Sequence, residues 1–201
     1  MKAFIVEKIE DKKFISSVKE VEIPTIEENE VLIKTTYSSL NYKDALSSIG
    51  NPGVSKNFPH ITGIDVAGVI EKSNSAEFKV GEKVLVTGYD LGMNTNGGHA
   101  HFVKVPASWV VKMPQNISDK EIMTYGTAGL TAALSVNELL KNDITSGNVL
   151  VTGATGGVGS IAVSILSKLG FKVTAISGKE DKINFLKFIG ASEVILRKDF
   201  D

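Results

Sequence analysis

The sequence predicts an α/β chain in which a β-rich module precedes an alternating strand and helix unit. Three observations predict it. Short β-branched segments separated by Pro, Gly and Asn fill the first half, the pattern of a barrel-like or sandwich-like module. A glycine-rich turn, Gly153-Ala-Thr-Gly-Gly-Val-Gly159, stands between an apolar strand and an amphipathic helix. Two further strand patterns, Lys172–Ser177 and Glu193–Leu196, follow with a helix over Glu180–Ile189 between them, giving the order β-α-β-α-β.

Taken in order, the β-rich part reads as strands at Lys2–Glu7, Val18–Val21, Glu30–Ser38, Asp65–Lys72, Lys83–Thr87, His99–Val105 and Trp109–Met113. Two helices come next. Ser118-Asp-Lys-Glu121 has the spacing of a capping box, in which hydroxyl and carboxylate satisfy each other's backbone N–H groups. Gly126–Leu140 carries a long apolar stripe. Beyond the loop 141–148, Val149-Leu-Val151 begins the alternating unit. Ile144 to Ser167 holds no charged residue and is long enough to span a bilayer, yet its glycine cluster and its change from strand to helix pattern argue against one continuous helix.

A turn of this kind lets backbone N–H groups approach phosphate oxygens, and the helix behind it aims the positive end of its dipole at the same place. A nucleotide is therefore the expected ligand, with Thr155, Gly156, Gly157, Val158 and Gly159 as its cradle. Gly156 and Gly159 occupy the second and third glycine positions of G-x-G-x-x-G, while Ala154 stands in the first. Strands that prefer NAD end in Asp or Glu to take the ribose 2′-hydroxyl. Here the strand ends in Ser177, Gly178 and Lys179, a hydroxyl, a permissive backbone and an ammonium that suit a phosphate, so NADPH is expected over NADH.

Composition excludes several classes. The 201 residues can hold one large or two small domains, and a formal charge of −1 with no long run of one sign gives no reason to expect a nucleic-acid or membrane partner. With no cysteine, disulfides, thiolate catalysis and cysteine-ligated zinc are out. Charges early in the N-terminus do not suit a signal peptide, so a cytoplasmic location is expected. His60, His99 and His101 do not form a cluster of mixed metal ligands by spacing.

Four stretches carry a family resemblance: Ser38-Ser-Leu-Asn-Tyr-Lys-Asp-Ala-Leu46, Asn57-Phe-Pro-His-Ile-Thr-Gly-Ile-Asp-Val-Ala-Gly-Val-Ile70, Gly126-Thr-Ala-Gly-Leu-Thr-Ala132 and Val151-Thr-Gly-Ala-Thr-Gly-Gly-Val-Gly159. The chain resembles the N-terminal portion of the medium-chain dehydrogenase/reductases, in their zinc-independent quinone oxidoreductase branch. Within it, Asn41-Tyr-Lys-Asp44 with Ser177-Gly-Lys179 is most similar to the acrylyl-CoA reductase type. The resemblance implies a GroES-like substrate domain over 1–123 and the first half of a Rossmann NADPH-binding domain over 124–201. It also implies hydride transfer to an activated double bond of an enoyl thioester, enone or quinone. Zinc-dependent relatives place ligands where Asn41, Tyr42, Ile64 and Asp65 stand here, so no metal is expected.

Site roles follow from the same resemblance. Tyr42 is the candidate hydrogen-bond or proton donor, with Asp44 orienting it or a water; Asn41, Tyr42 and Thr127 fall at the nicotinamide end, and Arg197 joins Ser177 and Lys179 at the adenosine phosphate. Relatives run well past residue 201, and a homodimer is expected of a full-length protein. The alternative is a nucleotide-binding or interaction module that keeps the fold without the chemistry.

Overall fold

A computed structural model describes residues 1–200. The chain folds as two compact units, Met1–Thr127 and Ala128–Asp201. The first contains two sheets. In one, β1 (Lys2–Glu10) lies between β2 (Lys13–Glu20) and the two-residue β4 (His60–Ile61). The other has the order β7-β3-β5-β6-β8, from β3 (Glu30–Tyr37), β5 (Asp65–Ser73), β6 (Lys83–Thr87), β7 (Phe102–Pro106) and β8 (Val111–Lys112), all antiparallel. Helix α1 (Tyr42–Ser48) follows β3.

Val31, Ile33, Val66, Ile70, Val84, Val86, Val103 and Val105 from β3, β5, β6 and β7 form the main core, each side chain contributing about 1.5–3 kcal/mol by burial. Strand β2 begins five residues before the expected start at Val18; it is an edge strand in which only Phe14 and Ser17 are half-buried and the rest are exposed, so no alternating apolar pattern marks its extent. At the other end of the module, Trp109 closes a 3-10 turn, Ala107–Trp109, instead of opening a strand, and its ring stacks on Tyr89 with centroids 5.1 Å apart.

Two loops cross at backbone contact in this unit. Gly97 N–H donates to Ile61 O at 2.8 Å, Gly98 N–H to Gly63 O at 2.7 Å and His99 N–H to Thr62 O at 3.0 Å. A Cβ on Gly63 would lie 2.5 Å from His99 N, and one on Gly97 would collide with Gly63 O. This crossing ties up residues 97–99, so β7 starts at Phe102 and not at His99.

Helix α2 (Asp119–Lys141) is broken at Gly126, where φ is 50° and ψ is −152°. Its start carries the expected capping box: Ser118 N–H and Oγ donate to Glu121 Oε2 at 2.9 and 2.6 Å, and Glu121 N–H donates to Ser118 Oγ at 3.2 Å.

The second unit holds a parallel sheet in the order β11-β10-β9, from β9 (Asn148–Val151), β10 (Lys172–Ser177) and β11 (Glu193–Leu196). Helices α3 (Gly157–Lys168) and α4 (Ile183–Phe188) connect them. Gly159, Val163 and Leu166 are the buried positions of α3, the spacing of one helical face, and both aliphatic side chains join Val173, Ala175 and Leu186 in a second core. Thus the uncharged stretch 144–167 is split between a strand, a loop and most of a helix, and no helix among the described residues is long and apolar enough to cross a membrane.

Candidate functional site

The first unit gathers its polar side chains around two buried carboxylates. Asp44, 4% exposed, accepts from Asn41 N–H at 2.7 Å through Oδ2, and from Gly63 N–H at 3.1 Å and Ile64 N–H at 3.0 Å through Oδ1. It therefore caps α1 and staples that helix to the chain entering β5. Both oxygens accept from backbone N–H groups, a capping and stapling role beyond the one the resemblance implies. Tyr42, the first residue of α1, is 80% exposed.

Asp65, wholly buried, is a hydrogen-bonding centre, a role beyond its place at a zinc-ligand position of zinc-dependent relatives. Four donors converge on it: Ser39 Oγ in a short bond, Asn41 Nδ2 at 2.8 Å, Thr127 N–H at 3.0 Å to both oxygens, and Thr127 Oγ1 at 2.6 Å. Burial of a carboxylate is tolerable when hydrogen bonds replace its hydration. The break at Gly126 belongs to this arrangement, because a Cβ there would sit 2.5 Å from Asp65 Oδ2 and 3.0 Å from Ser39 Oγ. Thr127, expected at a nicotinamide ribose or amide, gives its N–H and hydroxyl to Asp65. An acid inside the apolar run Ile64–Ile70 was the available signal.

The histidines are separately employed. His60 is buried with Nε2 2.9 Å from Gly92 O; burial lowers its pKa, opposed by that hydrogen bond and by the Asp90 carboxylate. His99 lies between Thr62 Oγ1, 2.7 Å from Nδ1, and Ser39 O, 3.2 Å from Nε2. His101 is exposed. Among the described residues no group of three or more potential ligands is placed to hold a metal. A hollow of about 470 Å3 borders Asn41 and Asp44, lined also by Phe4, Leu40, Ala45, Thr62 and His99.

The second unit contains the glycine turn. Ala154 fills the first-glycine position because its methyl group is fully buried in the core with Val163 and Val173, and its N–H reaches Ile176 O at 3.3 Å. Gly159 is obligatory: a Cβ there would collide with Gly153 O and lie 2.8 Å from Ala154 Cα. Gly156, the N-cap of α3, makes no side-chain cap. The first N–H groups of a helix have no intrahelical acceptor, so Gly157, Val158 and Gly159 can turn theirs to an external anion. Thr155 is half-buried, while Gly156, Gly157 and Val158 are exposed. This donor set fits a diphosphate.

Parallel pairing of Ser177 with Leu196 brings the ends of β10 and β11 side by side. Ser177, Gly178, Glu180, Leu196, Arg197 and Lys198 line a cleft of about 90 Å3 between the segments that follow. Ser177 is 1% exposed, and its Oγ accepts Lys179 N–H at 2.9 Å and lies 3.3 Å from Lys179 O. The hydroxyl closes a turn with the Lys179 backbone at the edge of this cleft. Lys179 is exposed and lies outside the cleft lining; its charge acts on Asp181, whose carboxyl is held below its ordinary pKa mainly by the hydrogen bond from Lys182. Arg197 does face the cleft, accompanied by Glu180 and Lys198, which local sequence does not single out.

Comparison with known proteins locates this geometry. Residues 27–115 match the alcohol dehydrogenase GroES-like domain. The putative quinone oxidoreductase YhfP of Bacillus subtilis is 47% identical over 184 residues, covering 90% of this chain and 56% of that protein. Its crystal structure with NAD bound matches with a TM-score of 0.91 at 44% identity, over 100% of this chain and 61% of that one. The probable acrylyl-CoA reductase AcuI of Escherichia coli is 42% identical over 202 residues, 100% of this chain and 62% of that protein. The YhdH oxidoreductase from Salmonella enterica in complex with NADP gives a TM-score of 0.95 at 41% identity, over 100% of this chain and 62% of that one. The chain thus spans roughly three-fifths of the length of these relatives.

Proposed function

We propose, from the match of residues 27–115 to the alcohol dehydrogenase GroES-like domain and the similarity of the chain to a quinone oxidoreductase and an acrylyl-CoA reductase, that it belongs to the medium-chain dehydrogenase/reductases and that the whole protein is an NADPH-dependent reductase of activated carbon–carbon double bonds. Its substrates are short enoyl-CoA thioesters such as acrylyl-CoA, or small enones and quinones, and it works without zinc. The observation that carries this proposal is the uncapped glycine-rich start of α3 together with the Arg197 cleft at the ends of β10 and β11. The names of the relatives supply the substrate classes.

When bound, the reduced nicotinamide supplies hydride to the β-carbon of the alkene. The chain's own residues bind and orient. Backbone N–H groups of Gly157 to Gly159 hold the diphosphate with the α3 dipole behind them, and Arg197, with Lys179 at longer reach, holds the 2′-phosphate. Asp65 fixes Asn41 and Thr127 against α1 and α2, which keeps the nicotinamide end ordered. Tyr42 donates a hydrogen bond from its exposed phenol to the substrate oxygen as negative charge develops there, or relays the proton that the α-carbon takes.

Tyr42→Phe in the full-length protein tests this, since it removes the hydroxyl and keeps the ring. Turnover is expected to fall about 10- to 1,000-fold with little change in NADPH affinity. Unchanged turnover removes Tyr42 from the chemistry. Stoichiometric zinc in the same preparation, purified without added metal, overturns the metal-free proposal.

A further inference from the structure

The cleft at the ends of β10 and β11 differs in charge from what its sequence suggests. Strand β10 ends without the acid that marks NAD preference, and Lys179 with Arg197 would make the site doubly positive. Folding changes the inventory: Lys179 is not among the lining residues, Lys198 is, and so is a carboxylate, Glu180. Glu180 opens the 3-10 turn Glu180–Lys182 after β10, while Arg197 and Lys198 open the turn Arg197–Asp199 after β11. The acid missing from the strand end has been moved three residues on and brought back to the same cleft.

Glu180 Oε2 and Lys198 Nζ are 3.8 Å apart, and their side chains are 74% and 67% exposed. That separation is too long for a hydrogen bond, and exposed pairs of this kind are held together weakly. Each partner can therefore leave the other at little cost. A phosphate monoester carries nearly two negative charges at neutral pH, so it attracts Arg197 and Lys198 and repels Glu180. A free ribose 2′-hydroxyl does the opposite, having a proton to give to a carboxylate.

Building on the nicotinamide cofactor proposed above, we propose that Glu180 is the residue that limits discrimination against NADH at this site, and that Lys198 is the second cation that receives a 2′-phosphate. The protein accepts both cofactors, with a preference for NADPH set by the balance of two cations against one carboxylate. Neither residue is part of a packed core, so both can be changed without disturbing the fold.

Calorimetric titration of the full-length protein with NADPH, NADH, 2′,5′-ADP and 5′-AMP tests this for wild type, Glu180→Gln and Lys198→Met. Glu180→Gln is expected to tighten NADPH and 2′,5′-ADP about 3- to 10-fold and to weaken NADH about 2-fold, with the gain shrinking at high salt. Lys198→Met is expected to weaken NADPH and 2′,5′-ADP about 3- to 10-fold and to leave NADH and 5′-AMP within about 2-fold. If the wild type prefers NADPH but Glu180→Gln moves both cofactors equally or not at all, the inference fails and the cofactor assignment stands. A wild type that binds neither cofactor overturns both. One that prefers NADH, yet turns towards NADPH on Glu180→Gln, upholds the role of Glu180 and overturns the NADPH preference stated here and above.

Discussion

Gly126→Ala tests the central claim about the buried Asp65 site, that the break in α2 exists to let a carboxylate approach the backbone. Two costs add. A non-glycine residue at φ 50°, ψ −152° occupies a region that is nearly glycine-only, at about 1–3 kcal/mol. The new Cβ would lie 2.5 Å from Asp65 Oδ2, so the carboxylate must retreat and weaken at least one of its bonds to Ser39, Asn41 or Thr127, about 1.5–3 kcal/mol for a charged group. The sum is about 2.5–6 kcal/mol. Gly81→Ala is the control, because Gly81 also has positive φ, +91°, but no atom within 4 Å of its Cβ position; it should cost about 1–2 kcal/mol. Both glycines and Trp109, the only tryptophan, lie in the first unit, so urea unfolding followed by tryptophan fluorescence reads both variants. Destabilisation of Gly126→Ala within about 1 kcal/mol of Gly81→Ala would refute the reasoning.

Three further outcomes follow from the site. Asp44→Asn should lose about 2–4 kcal/mol in the same unfolding assay, because an amide group replaces an acceptor facing backbone N–H groups, whereas Tyr42→Ala should lose less than about 0.5 kcal/mol from its exposed position; similar losses would put Asp44 outside the structural staple. Arg197→Ala should weaken NADPH binding by about 1–3 kcal/mol and Lys179→Ala by less, with NADH nearly unchanged in both; equal weakening of the two cofactors, read by fluorescence titration, counts against the cleft. His60 titrates below its ordinary pKa when folded, so as pH falls below about 6.5 the unfolded chain takes the proton first. Its contribution is therefore complete above that value and declines below it until the folded imidazole is protonated too. Between about pH 6.5 and pH 5, His60→Gln should flatten the fall in urea midpoint, and an unchanged slope would show that other groups cause it.

Several strands of both units are legible from residues alone. Lys83–Thr87, Lys172–Ser177 and Glu193–Leu196 are strands with the bounds their β-branched runs imply, and three parallel strands follow from the order of elements. The two-residue β4 was not, since His60 and Ile61 gain strand geometry only by pairing with Val6 and Ile5. The site divides along the same line. Gly156, Gly157 and Gly159 advertise a helix start through local sequence, but Asp65 acquires its meaning from Ser39, Asn41 and Thr127, which come from distant parts of the chain. Position in the chain marks Ser177 and Lys179 as candidate phosphate ligands, but the turn that Ser177 Oγ closes with the Lys179 backbone is visible only in the structure.

The crossing of the loops around Gly63 and Gly97 has a consequence for inheritance. Side-chain bonds flank the crossing, Thr62 to His99 and Ile61 N–H to Asn96, but at Gly63 and Gly97 themselves backbone meets backbone, so exchanging one side chain for another cannot make room there. A glycine codon that mutates to another residue always adds at least a Cβ, and here each such atom meets backbone: His99 N at position 63, Gly63 O at position 97. Loops ordinarily absorb replacement more readily than cores, and cores accept swaps that conserve volume. In a saturation library of this protein the usual order should invert, with Val and Ile of the main sheet exchanging freely while these two loop positions stay fixed. Because Gly63 also donates to Asp44, variants lost there would fail at α1, where Asn41 and Tyr42 begin, although nothing chemical had been altered.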